Sequence, residues 1–399
     1  MIALRRAWPQ LAAAALLFFA SAGFAAGPSK APSGAGPEHA LSGVLAAIEV
    51  NRLDVAMQRV EALIAAHPNF RLAHLIRGDL LFARGRPLET FGNVPKTVPR
   101  EKVEDLRAEA LLRLRALRDR PNGERVPRYV LQLHPEQKHA LVVDSRRSRL
   151  YVFENVGGRP QFVADYYVTL GKNGVEKTRE GDQKTPVGVY HVTANLPRQK
   201  LTDFYGAGAF PINYPNAWDK RLGRDGHGIW LHGTPSDTYS RPPRASDGCI
   251  VLANADLEAV GRTVQVGLTP VIIADEIEWT DAGLLEAERK GLAAAFDAWR
   301  AAWESRDADR YLAFYAARFH SGDQDLAAWS GHKRKVNAAK SWIKVAVSRL
   351  AMLQYPREKF VVVSFDQDYR SSNLSNVMRK RQYWIKEDGR WRILYEGGA

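Results

Sequence analysis

Cys249 and His232 are the residues whose types and spacing could do chemistry. Cys249 stands in Ser246-Asp247-Gly248-Cys249-Ile250-Val251-Leu252 and is the only cysteine among 399 residues. His232 lies 17 positions upstream, in Ile229-Trp230-Leu231-His232-Gly233-Thr234. A single thiol cannot close an internal disulfide, so in an exported protein it is either reactive or an inert buried group. A histidine at the end of an apolar strand can lower the thiol's pKa and turn it into a thiolate nucleophile.

Acyl transfer by a cysteine needs a thiolate, a base, an orienter for that base, and donors for the oxyanion. Cys249 fits the first role and His232 the second. The carbonyl of Gly233 could take the imidazole's other N–H and fix its tautomer, as an aspartate does in serine triads. The backbone N–H groups of Gly248 and Cys249 could hold the oxyanion, because glycine permits the tight turn that points them inward. His227, Asp225 and Asp247 compete for these roles. His227 lies five residues before His232, so strand alternation puts the two on opposite faces and favours His232. Ser246 and Asp247, beside the nucleophile, are candidate substrate contacts. Tyr205, Tyr214, Pro215, Asn216 and Asp219 lie in a Gly- and aromatic-rich stretch that reads either as a substrate lid or as a connecting loop.

The elements that would position these residues are separable along the chain. Arg5 and Arg6, an apolar run from Leu11 to Ala22 and the small-x-small site Gly23-Phe24-Ala25 read as a secretory signal over residues 1–25. The run is shorter than the about 20 apolar residues of a spanning helix, and no cysteine follows it to carry a lipid anchor. Residues 26–37 read as a flexible leader. Over 38–117 the spacing of Leu53, Ala56, Val60 and Leu63 predicts a helix; Pro68-Asn69 breaks it, and Leu72, Leu75 and Gly78 begin another. One such helix–turn–helix resembles a tetratricopeptide repeat, and a plain helical bundle for docking accounts for it as well. Pro121, Asn122, Gly123 and Pro127 mark a linker over 118–137.

Beyond it the period changes to two. Ala140–Asp144 and Leu150–Phe153 read as strands around the turn Ser145-Arg146-Arg147-Ser148, with further strands at Val163–Leu170, Gly188–Thr193, Gly228–His232 and Val271–Ala274. These predict a mainly β domain over 138–275. From 280 to 399 the pattern is a long helix with Phe296, Trp299 and Trp303 on one face, then strands at Phe360–Phe365, Arg381–Lys386 and Arg390–Tyr395, the last two joined at Glu387-Asp388-Gly389. The whole is a multidomain chain: helical, then mainly β, then α+β. Lys333-Arg334-Lys335 with Lys340 and Lys344 form a basic stretch, read as a solvated helix face or a binding patch.

Charge bounds the partners. Losing the signal removes two arginines and no acids, so the net charge falls from +13 to about +11. A basic exported protein associates with polyanions such as wall polymers or acidic lipid surfaces. Export and the lack of any nucleic-acid motif argue against nucleic acid. No His-x-x-x-His or paired-Cys spacing calls for a metal, and no cofactor is expected.

With the His-Gly strand end and the Ser-x-Gly-Cys segment, Glu180-Gly181-Asp182-Gln183-Lys184-Thr185-Pro186-Val187-Gly188-Val189-Tyr190 supplies a third ordered motif, a Thr-Pro-x-Gly strand start. Residues 138–275 thereby resemble the L,D-transpeptidase catalytic domain of the YkuD type. The C-terminal part resembles the NTF2-like cone fold. The three-part order is similar to the cell-shape-determining peptidoglycan carboxypeptidases of helical bacteria. One departure stands out: many members have histidine immediately before Gly-Cys, where this chain has Asp247. A charged, close acid would raise the thiol's pKa. Turned outward, it could instead bind a cationic ammonium of the substrate, so acyl-acceptor choice and β-lactam sensitivity stay open.

The resemblance implies attack by Cys249 on the carbonyl at the L-centre of diaminopimelate in wall tetrapeptides, with D-Ala leaving and a thioester remaining. Resolution by an amine makes an L,D-transpeptidase; resolution by water makes an L,D-carboxypeptidase that trims tetrapeptide to tripeptide. A wall-binding scaffold with a decayed site is the reading from another class. Peptidoglycan stem peptides are the expected substrate, with wall or shape proteins as partners of the helical part, in the periplasm or cell envelope, and no membrane span after signal cleavage.

Overall fold

The computed structural model describes residues 36–88, 90–94, 98–119, 121 and 124–398. The expected signal and residues 26–35 of the leader lie outside the described residues. Four helices come first: α1 (Pro37–Glu49), α2 (Leu53–Ala66), α3 (Arg71–Ala83) and α4 (Arg100–Arg118). Leu53, Ala56, Val60 and Leu63 stand on one side of α2, and the last three are buried with Leu41, Val44, Phe70, Leu72 and Ile76 in a core of their own. Helix α4 returns against both α1 and α3. Among the described residues no helix is long and apolar enough to cross a membrane.

The stretch read as a linker holds two strands, β1 (Arg125–Pro127) and β2 (Val130–Gln132). Its Pro and Gly signals belong to residues 121–123 and to the ends of these strands. The β domain follows with β3 (His139–Asp144), β4 (Arg149–Val156), β5 (Arg159–Tyr167), β6 (Leu170–Gly171), β7 (Gly188–His191), β8 (Leu196–Pro197), β9 (Gly208–Pro211), β10 (Trp230–His232), β11 (Arg244–Ser246), β12 (Ile250–Val251) and β13 (Pro270–Ala274). Two short helices, α5 (Ala217–Arg221) and α6 (Asn254–Gly261), interrupt them. One sheet runs β5-β4-β3-β13-β7 and the other β12-β10-β9-β8. Leu141, Val143, Leu231, Ile250 and Ile273 pack between the sheets with no or almost no exposure, as near-continuous apolar strands require.

A last strand of this region, β14 (Trp279–Asp281), pairs back with β1. Asp281 then caps α7 (Ala282–Glu304) by accepting from Gly283 N and Leu284 N. After it come α8 (Ala308–Leu312), β15 (Tyr315–Ser321), β16 (Gln324–Asp325), α9 (Leu326–Ala338), β17 (Ile343–Gln354), β18 (Phe360–Ser371), β19 (Leu374–Glu387) and β20 (Arg390–Gly398). Phe296, Trp299 and Trp303 lie against the sheet among Phe365, Tyr369 and Trp384, each such burial contributing about 1.5–3 kcal/mol. Asp388-Gly389, both at positive φ, closes the two-residue hairpin between β19 and β20. Strand β2 completes this curved sheet at its edge by pairing with β17.

The basic stretch on and after α9 divides. Lys333 lies over the rings of Trp329 (4.2 Å) and Trp303 (5.3 Å), where burial pushes its ammonium down to about 8. Lys340 is buried and donates to Ser371 Oγ at 3.1 Å. Arg334, by contrast, is exposed and pairs with Asp309.

Candidate active site

Strand β10 carries His232 at its end, paired antiparallel with β9 and parallel with β12. In that register Leu231 faces Ile250 and His232 faces Val251, so Cys249, just before β12, is brought beside Trp230. The turn ahead of the thiol is held from three sides. Ser246 Oγ donates to Cys249 O at 2.6 Å and accepts from Gly248 N at 3.2 Å. Thr185 Oγ1 donates to Gly248 O at 3.0 Å and accepts from Gly171 N at 2.9 Å. Gly248 has φ +125, and a Cβ there would lie 2.7 Å from Lys184 O. The Thr-Pro-x-Gly motif therefore serves the cysteine turn, with its threonine as the tie.

His232 is almost fully buried, and its Nδ1 lies 2.7 Å from Gly233 O. A carbonyl only accepts, so Nδ1 carries the proton and Nε2 is left as the acceptor. Burial pushes this imidazole down to about 4, against the bond to Gly233 that favours its charged form. Gly233 is in turn fixed: its N–H donates to Tyr205 O at 3.0 Å, and a Cβ there would meet Asn254 Oδ1 at 2.1 Å. Asn254 bridges the two loops, accepting from Ala207 N and donating to Thr234 O. The rings of Phe204 (5.7 Å) and Tyr205 (5.2 Å, edge-on) wall the imidazole.

The thiol of Cys249 donates to Gly228 O at 3.4 Å. Burial raises its pKa to about 11; the Trp230 N–H facing the sulfur works against that rise, and the Asp247 carboxylate adds to it. In this state the pair is a neutral thiol and a neutral imidazole. Alkylation of Cys249 by iodoacetamide should therefore accelerate about tenfold per pH unit from roughly pH 6 to 9, following the thiolate fraction. A rate already level below pH 7 would mean a thiolate–imidazolium pair instead.

The remaining sequence candidates separate. Asp247 points outward and is tied to Lys172 Nζ (3.0 Å) and Gln183 Nε2 (2.9 Å). Ser246, expected at the substrate, is buried with its hydroxyl spent inside the turn. Gly248 N–H, expected as an oxyanion donor, is taken by that same hydroxyl. Tyr214, expected in the site, is in the core with its hydroxyl donating to Asp225 O. Its partners in the supposed lid also turn away. Asn216 caps α5 with Asp219 in a capping box, and Trp218 packs on Phe360 and Tyr383 of the C-terminal sheet. Only Tyr205, on the short turn Asp203–Tyr205, stays at the imidazole, its ring tilted against Trp230 at 4.9 Å. His227 is exposed beside Glu180.

Two residues were not singled out from the sequence. Asn254 was one, and no spacing signal marks it. Arg241 was the other: its guanidinium lies 4.9 Å over Phe204, and its charge bears on both His232 and Cys249. The loop carrying it is gripped by the helical part. The Tyr239 ring packs tilted against Phe70 with centroids 4.1 Å apart, Ser240 Oγ donates to Glu109 at 2.8 Å, and Asn69 Nδ2 donates to Ser236 O at 3.3 Å. Beneath that loop, buried Arg113 pairs with Glu109 and Glu38 and lies over the Tyr167 ring at 4.0 Å. Among the described residues no cluster of three His, Cys, Asp or Glu could hold a metal ion.

Residues 138–273 match the family model of the L,D-transpeptidase catalytic domain (YkuD), and residues 291–397 that of the Cds6 C-terminal NTF2-like domain. The chain carries an L,D-transpeptidase catalytic domain. It is followed by an NTF2-like domain. Among solved structures, Bd1075 of Bdellovibrio bacteriovorus is similar, with 29% identity over 69% of this chain and 98% of its own, and a TM-score of 0.60. The helical cell shape determining protein Pgp2 of Campylobacter jejuni aligns at 26% identity over 68% of this chain and 95% of its own, with a TM-score of 0.58. A comparison with curated protein sequences gave no match.

Proposed function

We propose that the protein is a peptidoglycan L,D-transpeptidase working through a cysteine acyl-enzyme. The observation that carries this reading is the His232 Nδ1 to Gly233 O bond of 2.7 Å, which leaves Nε2 unprotonated and able to act as the base. The thiol leaves Gly228 O and gives its proton to Nε2 as sulfur attacks the diaminopimelate carbonyl at the L-centre. The tetrahedral adduct collapses, the bond to D-Ala breaks, and the imidazolium returns the proton to the departing amine. A thioester remains, and His232 then deprotonates the amine of a neighbouring stem peptide as it attacks. The neutral resting pair suits this order, because desolvation keeps the charges from forming until substrate is in place. Arg241 offers the anionic stem peptide a cation at the entrance, with Phe204 holding it.

Trimming is the second reading, favoured by the likeness to Pgp2 across nearly all of that protein's length. In it water takes the place of the amine, tetrapeptide becomes tripeptide, and the cellular role is in shape. Both readings place the mature protein in the periplasm or cell envelope, with the helical part free to dock wall or shape proteins. Incubating the mature protein with tetrapeptide muropeptides and weighing the products separates them. Crosslinked dimers are the expected result, tripeptides alone would replace transfer by trimming, and untouched substrate with folded protein would leave a wall-binding scaffold.

A further inference from the structure

Strand β19 presents its residues alternately to two different surroundings. Lys380, Gln382 and Trp384 point into the cone, where charge is balanced: Lys380 Nζ pairs with buried Glu396 at 2.7 Å, and Gln382 Nε2 donates to the same carboxylate at 2.9 Å. Arg379, Arg381 and Tyr383 point the other way, into a cavity of about 190 Å³ between the cone's outer face and the transpeptidase domain. Its opposite wall is built from His191 on β7 with Asn213 and Gln137.

Charge in this cavity is not balanced. Arg379 Nε reaches Asp366 only at 4.0 Å, a carboxylate that also pairs with Arg349 at 3.3 Å, and among the described residues Arg381 makes no ion pair. His191 reports the same field from the facing domain. Burial first, and then the two guanidinium groups, push its imidazole down to about 4, so it adds a neutral ring rather than a compensating charge. Two guanidinium groups two residues apart on one strand face, opposite amide side chains, make a fork suited to oxygen anions. The volume holds several waters or one small anionic group. The side chain of Arg379 is 37% exposed, so the cavity is reached from solvent.

We propose that this interdomain cavity is a binding site for a compact oxyanion, a phosphate or carboxylate group, held by Arg379 and Arg381 against the wall that carries His191. A group bound there touches both domains and so ties the cone to the transpeptidase domain. The site is separate from Cys249 and does not depend on which reaction that residue carries out.

Calorimetric titration of the whole mature protein with inorganic phosphate, and separately with acetate, at matched ionic strength in chloride tests this. Saturable binding of at least one is expected, and which one binds identifies the group. R379Q/R381Q should lose about tenfold or more in affinity, the scale of a lost charge-assisted bidentate contact. R381K, which keeps the charge and lacks the planar fork, should weaken binding by less and covers the case in which the double variant fails to fold. Arg334→Gln, on the exposed far side of the cone, should bind as wild type does. No saturable binding of either ion to the wild type, or equal binding in wild type and R381K together with R379Q/R381Q, overturns the proposal.

Discussion

Cys249→Ala is expected to lower turnover of tetrapeptide muropeptides by about 10³-fold or more, since removing a nucleophile collapses the whole covalent route rather than one contact within it. The fold should not notice. The sulfur is half-buried and makes one long hydrogen bond, to Gly228 O, while the turn around it is held by Ser246, Thr185 and Gly248. A melting temperature unchanged from wild type, measured beside product masses, separates lost chemistry from lost structure. Turnover that survives in a folded Cys249→Ala protein would remove this residue from the mechanism.

Gly233→Ala is expected to cost about 10²-fold in kcat although it leaves every side chain of the proposed machinery in place. The new Cβ would lie 2.1 Å from Asn254 Oδ1 and 3.0 Å from Ala207 N, so the strand end must shift and the carbonyl that fixes His232 shifts with it. A displacement on the order of 1 Å in a positioned base is enough for a loss of that size. Because the clash is with Asn254, shortening that side chain offers a check: Gly233→Ala/Asn254→Ala should recover part of kcat relative to Gly233→Ala alone. Wild-type kcat in Gly233→Ala would show that the orientation of His232 through this carbonyl does not matter.

What could be read from the residues alone was the chemistry that depends on neighbours in sequence. A histidine followed by glycine at a strand end, and a Gly-Cys turn, are local arrangements, and the structure places both where strand logic puts them. The helix bearing Phe296, Trp299 and Trp303 was legible for the same reason: its period declares its buried face. Reading failed where the partner is distant. Tyr214, Asn216 and Asp219 look like a lid because they are aromatic and polar near the site, yet their contacts are Asp225, Val189, Tyr190 and Tyr355, chosen by domain packing. Asn254 and Arg241 gain their places through loops brought together from far apart, which no spacing rule encodes. Strand β17 also escaped notice, since its alternation is broken by a bulge between Ser348 and Ala351.

Strand β2 has a consequence for how such a protein can be taken apart. It lies before the transpeptidase domain in the chain, yet it is the edge of the cone's sheet, while β1 beside it is stitched to β14. A gene fragment opened at residue 138 would leave the cone with a bare β17, a row of unpaired backbone groups ready to template onto another chain. A fragment ending near residue 275 would strand β2 with nothing to pair against. The unit that can be shuffled, transplanted or crystallised is thus the pair of domains together with the short segment ahead of them, and the join between catalysis and cone is woven rather than hinged.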